Sequence, residues 1–130
     1  MESVLESVVE ESEGPVYNIR HRAFYFSKNV LLFINTIKYE RIHFSLFDQL
    51  IRSVTSIGAN LVEGVAGSTL KDFIRYNAIA LKSANESKYW LCLIKEINIC
   101  DKNLLNEFIK EADEISKIIA KIIINSKNTK

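Results

Sequence analysis

Proline occurs once and glycine four times in the 130 residues. Turn chemistry is therefore scarce, and an all-β fold built from many short strands is excluded. Cysteine occurs only at Cys92 and Cys100, eight apart in a helical pattern, with no CxxC and no nearby histidine pair. These read as two reduced thiols, not as a disulfide framework or a zinc site. No apolar run is long enough to span a membrane. The N-terminus, MESVLESVVEESEGP, has neither the basic start nor the apolar centre of a signal peptide. These absences predict a cytoplasmic protein with no membrane partner, and the length fits a single domain with a real hydrophobic core.

Charge is unevenly placed. The formal net charge is only +1, yet residues 1–13 hold five glutamates and no base. The remainder carries seventeen basic against eleven acidic residues. An acidic leader on a modestly basic body suggests contact with a polyanion, although the surplus is far below that of a dedicated DNA-binding domain.

Helical periodicity runs through most of the chain, and the expected architecture is all-α, an antiparallel up-down four-helix bundle. The first helix is predicted from Val16 to Lys38, with Ile19, Ala23, Phe26, Val30, Phe33, Ile34 and Ile37 on one face. After the loop YERIHF, the second starts near Ser45, where Ser45 and Asp48 have capping-box-like spacing. Gly64 and Gly67 are expected to interrupt it. Ser68 or Thr69 with Asp72 starts the third, which runs to about Ile99. A turn at residues 101–103 leads to the fourth, and residues 127–130 form a polar tail. Residues 1–15 precede this bundle, which spans 16–126. Val4, Leu5, Val8 and Val9 would line one face of a short helix, whereas the Gly14–Pro15 end fits a mobile leader, and both readings stay open.

The stretch TSIGANLVEG, Thr55 to Gly64, departs from the pattern around it. Its Thr, Ser, Gly and Asn cost up to about 1 kcal/mol each in a helix interior. At about 100° per residue, Gln49, Arg52, Ser53, Ser56, Asn60 and Glu63 share one side of the second helix, opposite Leu50, Val54, Ile57 and Leu61. A solvated face carries mostly Lys and Glu, whereas this one is dominated by short uncharged groups that suit a crowded contact. Gly58 and Ala59 are small enough to let another helix approach. The third helix adds a second apolar flank, Tyr76, Ile79, Trp90, Ile94 and Ile97, which predicts burial against a further neighbour and hence oligomerisation. Its solvent side is expected to hold Lys71, Arg75, Lys82 and Tyr89, a short basic stripe for phosphates, with Lys88, Lys127 and Lys130 adding to it. In the antiparallel pairing of helices two and three, Arg52 and Glu86 fall side by side, which predicts a charge-assisted hydrogen bond, within a protomer or across an interface between protomers.

The double motif QLIRSVTSIGANLVEG and KDFIRYNAIALKSANESKYWL resembles that of the bacterial four-helix-bundle proteins encoded in intervening sequences of the large ribosomal RNA gene. The matching positions are Gln49, Arg52, Ser56, Ile57, Asn60, Leu61, Glu63, Gly64, Ser83 and Glu86, and the likeness spans roughly residues 16–124. That family also includes the accessory variability determinant proteins of diversity-generating retroelements. The resemblance implies a homopentamer without a catalytic site, whose accessory branch binds nucleic acid and a reverse transcriptase. The chain departs from the family where an Arg-bearing segment often follows the Glu-Gly pair: here the sequence is VAGST. Lys82 also stands where glycine often precedes the serine of helix three, and the acidic leader has no counterpart.

Nothing in the sequence favours catalysis. His21 and His43 lack a Cys or Asp at ligand spacing, and there is no P-loop, no GxSxG and no Glu-x-x-His pair for a di-iron site. Glu63 and Glu86 as paired carboxylates are weaker than their reading as structural partners. No cofactor or metal is expected. Two functions follow: a non-enzymatic accessory protein that binds RNA or DNA and a reverse transcriptase, or a structural oligomer with no nucleic-acid role.

Overall fold

The computed structural model describes residues 15–67 and 69–128, so the acidic leader and the Ser68 alternative for the start of helix three lie outside the described residues. Four helices follow in order: α1 (Pro15–Asn35), α2 (Phe44–Ala66), α3 (Leu70–Glu96) and α4 (Lys102–Lys127), with a 3-10 turn at Arg41–His43. Each helix packs on its two neighbours in chain order and α4 closes against α1, as in an up-down bundle. Among the described residues there are no strands.

The core is built from one stripe of each helix. Ile19, Ala23, Phe26 and Val30 of α1 meet Leu50, Val54 and Ile57 of α2, Ala84 and Leu91 of α3, and Leu105, Ile115 and Ile119 of α4, all buried. Phe108 stands edge-on to Phe26 and Phe33, with ring centroids 6.3 and 5.5 Å apart. Such pairs add about 0.5–1.5 kcal/mol beyond their buried area. Ile94 belongs to this core and is fully buried, so it is not on the outward flank expected from the sequence. The residues Asn77, Ala80, Ala84, Ser87, Leu91 and Ile94 keep a three-four spacing along α3, and that stripe faces inward.

Helix ends differ from expectation for local reasons. At the end of α1, Thr36 N–H and Ile37 N–H bond back three residues to the Phe33 and Ile34 carbonyls, which tightens the helix and stops it at Asn35. The Ser45–Asp48 cap is not formed. The 3-10 turn feeds straight into α2, the Phe44 N–H bonding to the Arg41 carbonyl, so Ser45 lies inside the helix and His43 occupies the N-cap without a side-chain bond. Helix α2 also runs through Gly64 and ends at Ala66. Thr69 caps α3, its hydroxyl accepting from the Asp72 N–H at 3.0 Å. Asn98, with φ of 63°, adopts the left-handed conformation just past α3 and ends it before Ile99. Asp101 caps α4 by accepting from the N–H groups of Asn103 and Leu104.

Candidate functional site

Within the polar stripe of α2, the serines meet α3, whereas Arg52 and Glu63 stay exposed. Ser53 and Ser87 hydroxyls lie 3.0 Å apart, and Ser83 donates to Ser56 at 2.9 Å. Asn60 reaches back along its own helix, its Nδ2 donating to the Ser56 carbonyl at 2.8 Å and to the Ser56 hydroxyl at 2.9 Å. Further down the seam, a Cβ on Gly64 would stand 3.3 Å from both Asn77 Nδ2 and Tyr76 Cβ. Asn77, 1% exposed, donates Nδ2 to the Phe73 carbonyl instead. Short side chains therefore bring α2 and α3 close together, with hydroxyl pairs satisfying what the contact buries. Of the two glycines inside α2, Gly64 is the one that meets a tight interhelical contact. Gly58 faces Ala23 of α1, where a Cβ would meet the Ala23 Cβ at an ordinary 3.7 Å, while Ala59 is exposed.

Arg52 and Glu86 do not pair within the chain. Arg52 Nε donates to Asp48 at 3.1 Å on its own helix, and Glu86 accepts from Trp90 Nε1 at 3.1 Å. Both side chains lie on the solvent flank of the seam, one helical step away from the serine pairs that meet. Gln49 is half-buried and Glu63 exposed.

On the outer face of α3, Lys71, Arg75, Lys82 and Tyr89 are exposed in a file that continues through Ala78, Asn85 and Cys92. Tyr89 is 60% exposed and stands edge-on to the half-buried Trp90. Arg75 lies 3.5 Å from Asp72 and stacks over the half-buried Tyr76 ring at 4.3 Å. Ile79, beside the file, is 37% exposed. Lys88 does not join this face. It crosses to α4, where its Nζ reaches Asp113 at 3.0 Å and Ser116 at 3.4 Å. Lys117 and Lys88 together hold the Asp113 carboxyl below the usual carboxylate range. A second set of charges ties α1 to α4: Arg22 makes paired bonds to Glu111 at 3.0 and 2.6 Å and one to Glu114 at 2.9 Å. The Arg22 guanidinium pulls the Glu114 carboxyl down.

Periodicity alone did not disclose a groove between α1 and α2. It encloses about 1150 Å³ and is lined mainly by apolar groups, Phe24, Leu31, Leu32, Ile37, Ile51 and Val62 among them, with Arg20, Lys28 and Glu63 as its charged members. The signal available was the second apolar file of α1, Phe24, Leu31 and Leu32, outside the core stripe.

Among the described residues, no group of three or more His, Cys, Asp or Glu could hold a metal ion. No helix there is long and apolar enough to cross a membrane. A closed up-down bundle with a serine-lined seam defines the class of protein. The chain belongs to the 23S rRNA-intervening sequence protein family, whose sequence pattern matches residues 17–121. It is also similar to a protein of unknown function from the S23 ribosomal protein family of Bacteroides thetaiotaomicron. The crystal structure of that protein shares 29% identity over 85% of this chain and 98% of its own, with a TM-score of 0.78. No curated protein matches the sequence.

Proposed function

We propose that the chain is a non-enzymatic accessory protein of the cytoplasm that self-assembles and binds RNA or DNA through the outer face of α3. The carrying observation is the exposed file Lys71, Arg75, Lys82 and Tyr89, three cations and an aromatic ring on one side of a helix. Cations at this spacing bind phosphates without reading sequence, and an adjacent ring offers a base a stacking surface. Exposed Ile79 and half-buried Tyr76 and Trp90 beside the file support assembly, because apolar and aromatic surface of this kind gains by being covered. A ring of copies turns a short stripe into a continuous positive belt. Five subunits and a reverse-transcriptase partner are part of the proposal through the family resemblance.

The experiment is RNA affinity at low and moderate salt for the wild type and a Lys71→Ala/Arg75→Ala/Lys82→Ala variant. The reading expects weaker binding and a shallower salt dependence in the variant, by roughly 0.7 in log–log slope per lost contact to single strands. Equal affinity sinks it. Light scattering tests assembly separately, and a monomer at micromolar concentration ends that part.

The alternative is a structural or protein-interaction oligomer with no nucleic-acid role. It is favoured by the engagement of Arg75 with Asp72 and Tyr76, which occupies one of the three cations. A gene position beside a reverse transcriptase and template repeat supports the first reading, and one inside a ribosomal RNA operon the second.

A further inference from the structure

The groove between α1 and α2 is larger than an ordinary small-molecule site, at about 1150 Å³ against roughly 300–1,000 Å³. Leu31 and Leu32 stay 37% and 54% exposed on its α1 wall. On the α2 wall, Gly58 and Ala59 leave room that larger side chains would fill. Its hydroxyls are already committed, Ser27 donating to the Val54 carbonyl at 2.7 Å and Thr55 to the Ile51 carbonyl at 2.8 Å. The walls thus offer apolar surface, with Lys28 and Glu63 as exposed charges. A second uncovered surface lies on the other side of α2. On the flank of α3 that borders the serine seam, Ile79 and Glu86 are exposed and Trp90 is half-buried, which makes a ridge at helical spacing.

We infer that the α3 ridge of one copy seats in the α1–α2 groove of the next, a head-to-tail contact between copies of this chain. This rests on the self-assembly proposed above and names the two surfaces that meet. Register supports it. Helices α1 and α3 run in the same direction in the up-down bundle, so a copy in the same orientation lays its α3 parallel to the neighbour's α1. Lys28 and Leu32 are four residues apart on α1, as Glu86 and Trp90 are on α3, about 6 Å in each case. With Glu86 opposite Lys28, Trp90 therefore reaches Leu32. Ile79 precedes Glu86 by seven residues, about 10 Å. Gly58 stands level with Ala23, five residues before Lys28 and about 8 Å from its level. In the same register, Ile79 falls on the small residues Gly58 and Ala59.

Charge agrees with this register. Among the described residues, neither Lys28 nor Glu86 has an ion-pair partner in its own chain. Lys28 lies over the Tyr25 ring at 5.4 Å, and Glu86 accepts only from Trp90. Each supplies what the other lacks. The two sides used, α1–α2 and α2–α3, adjoin at α2 and stand at roughly a right angle in a four-helix bundle. A head-to-tail contact between adjacent sides turns at every step and closes a ring, whereas opposite sides would build a filament. Lys71, Lys82 and Tyr89 lie further round α3, and the contact leaves them in solvent.

The test is sedimentation of the full chain as wild type, Ala59→Arg, Lys28→Glu, Glu86→Lys and the Lys28→Glu/Glu86→Lys double variant. All three positions are exposed, so the bundle itself is left intact. Each single variant should weaken self-association by about tenfold or more, because bulk fills the groove or like charges meet across the contact. The double variant should regain most of that loss, since the exchanged charges attract again. Lys28 and Glu86 do not touch within a chain, so the rescue reports a contact between copies. A wild type that assembles no better than Ala59→Arg, both forming the same oligomer, overturns the groove as the interface and leaves self-assembly standing. Losses in both charge variants without rescue overturn the pairing of ridge and groove. A monomeric wild type ends the assembly reading itself, and the inference with it.

Discussion

Ser53 of α2 and Ser87 of α3 face each other inside the bundle at 3.0 Å. Each hydroxyl also lies within bonding distance of a carbonyl on its own helix, Ser53 with Leu50 at 3.0 Å and Ser87 with Ser83 at 2.8 Å. A carbonyl only accepts, so two protons serve three contacts and the interhelical one is shared in time. The pair is thus worth less as a bond than as a small polar contact that neither helix leaves unsatisfied. Ser87→Ala should cost about 1 kcal/mol, the net value of an ordinary hydrogen bond. Ser87→Leu forces extra bulk into the seam and should cost about 1–3 kcal/mol. Urea unfolding of the two variants separates bonding from size, and equal losses would mean that size is not what the seam selects.

Gly58 and Gly64 should respond to alanine in opposite directions. Alanine is the better helix former by about 1 kcal/mol. At Gly58 the new Cβ meets Ala23 at an ordinary distance, so the melting temperature should rise. At Gly64 it meets Asn77 Nδ2 and Tyr76 Cβ at 3.3 Å, and overpacking costing about 1–3 kcal/mol outweighs the propensity gain. A higher melting temperature for Gly64→Ala would remove the close approach as the reason for that glycine.

Acid should weaken the link between α3 and α4. The Asp113 carboxyl is held low first by the Lys117 hydrogen bond and then by Lys88. A lowered folded value means that the stabilisation is fully present well above the ordinary aspartate value of about 3.9 and is lost as pH falls through the lowered one. Melting temperatures of wild type and Asp113→Asn should therefore differ at neutral pH and converge as pH falls below the lowered Asp113 value. A gap that stays constant across that window would show that the carboxylate charge is not its source.

Most of the fold was legible because each helix repeats its apolar positions over about three turns or more, as Ile19, Ala23, Phe26 and Val30 do. Helix ends were less so. Whether Ser45 caps or Phe44 continues depends on the backbone of the preceding 3-10 turn, which periodicity does not encode. The serine stripe declared itself by composition, since a solvated helix face carries mostly Lys and Glu and this one carries short uncharged hydrogen-bonding groups that fit a close contact. Its partner did not: Arg52 and Glu86 satisfy nearly the same antiparallel register as Ser53 and Ser87, and only side-chain direction about the helix axis separates the pair that meets from the pair that does not. The same ambiguity put Ile94 outside and Lys88 on the wrong face.

The unequal grip of the four helices has a kinetic meaning. Helix α1 packs less extensively on its neighbours than α2 on α3 or α3 on α4, and it borders the open groove. Beside the Phe26 and Phe33 contacts with Phe108, its link to α4 includes the Arg22 cluster with Glu111 and Glu114, where Arg22 is about one-third exposed. Partial unfolding should then begin by peeling α1 away, leaving α2, α3 and α4 as the last cooperative unit. Amide exchange in Arg22→Lys, which loses the two-pronged guanidinium geometry, should quicken across residues 19–35 and stay unchanged at Leu91 and Ile94. Uniform acceleration in all four helices would instead mean that the bundle opens as one.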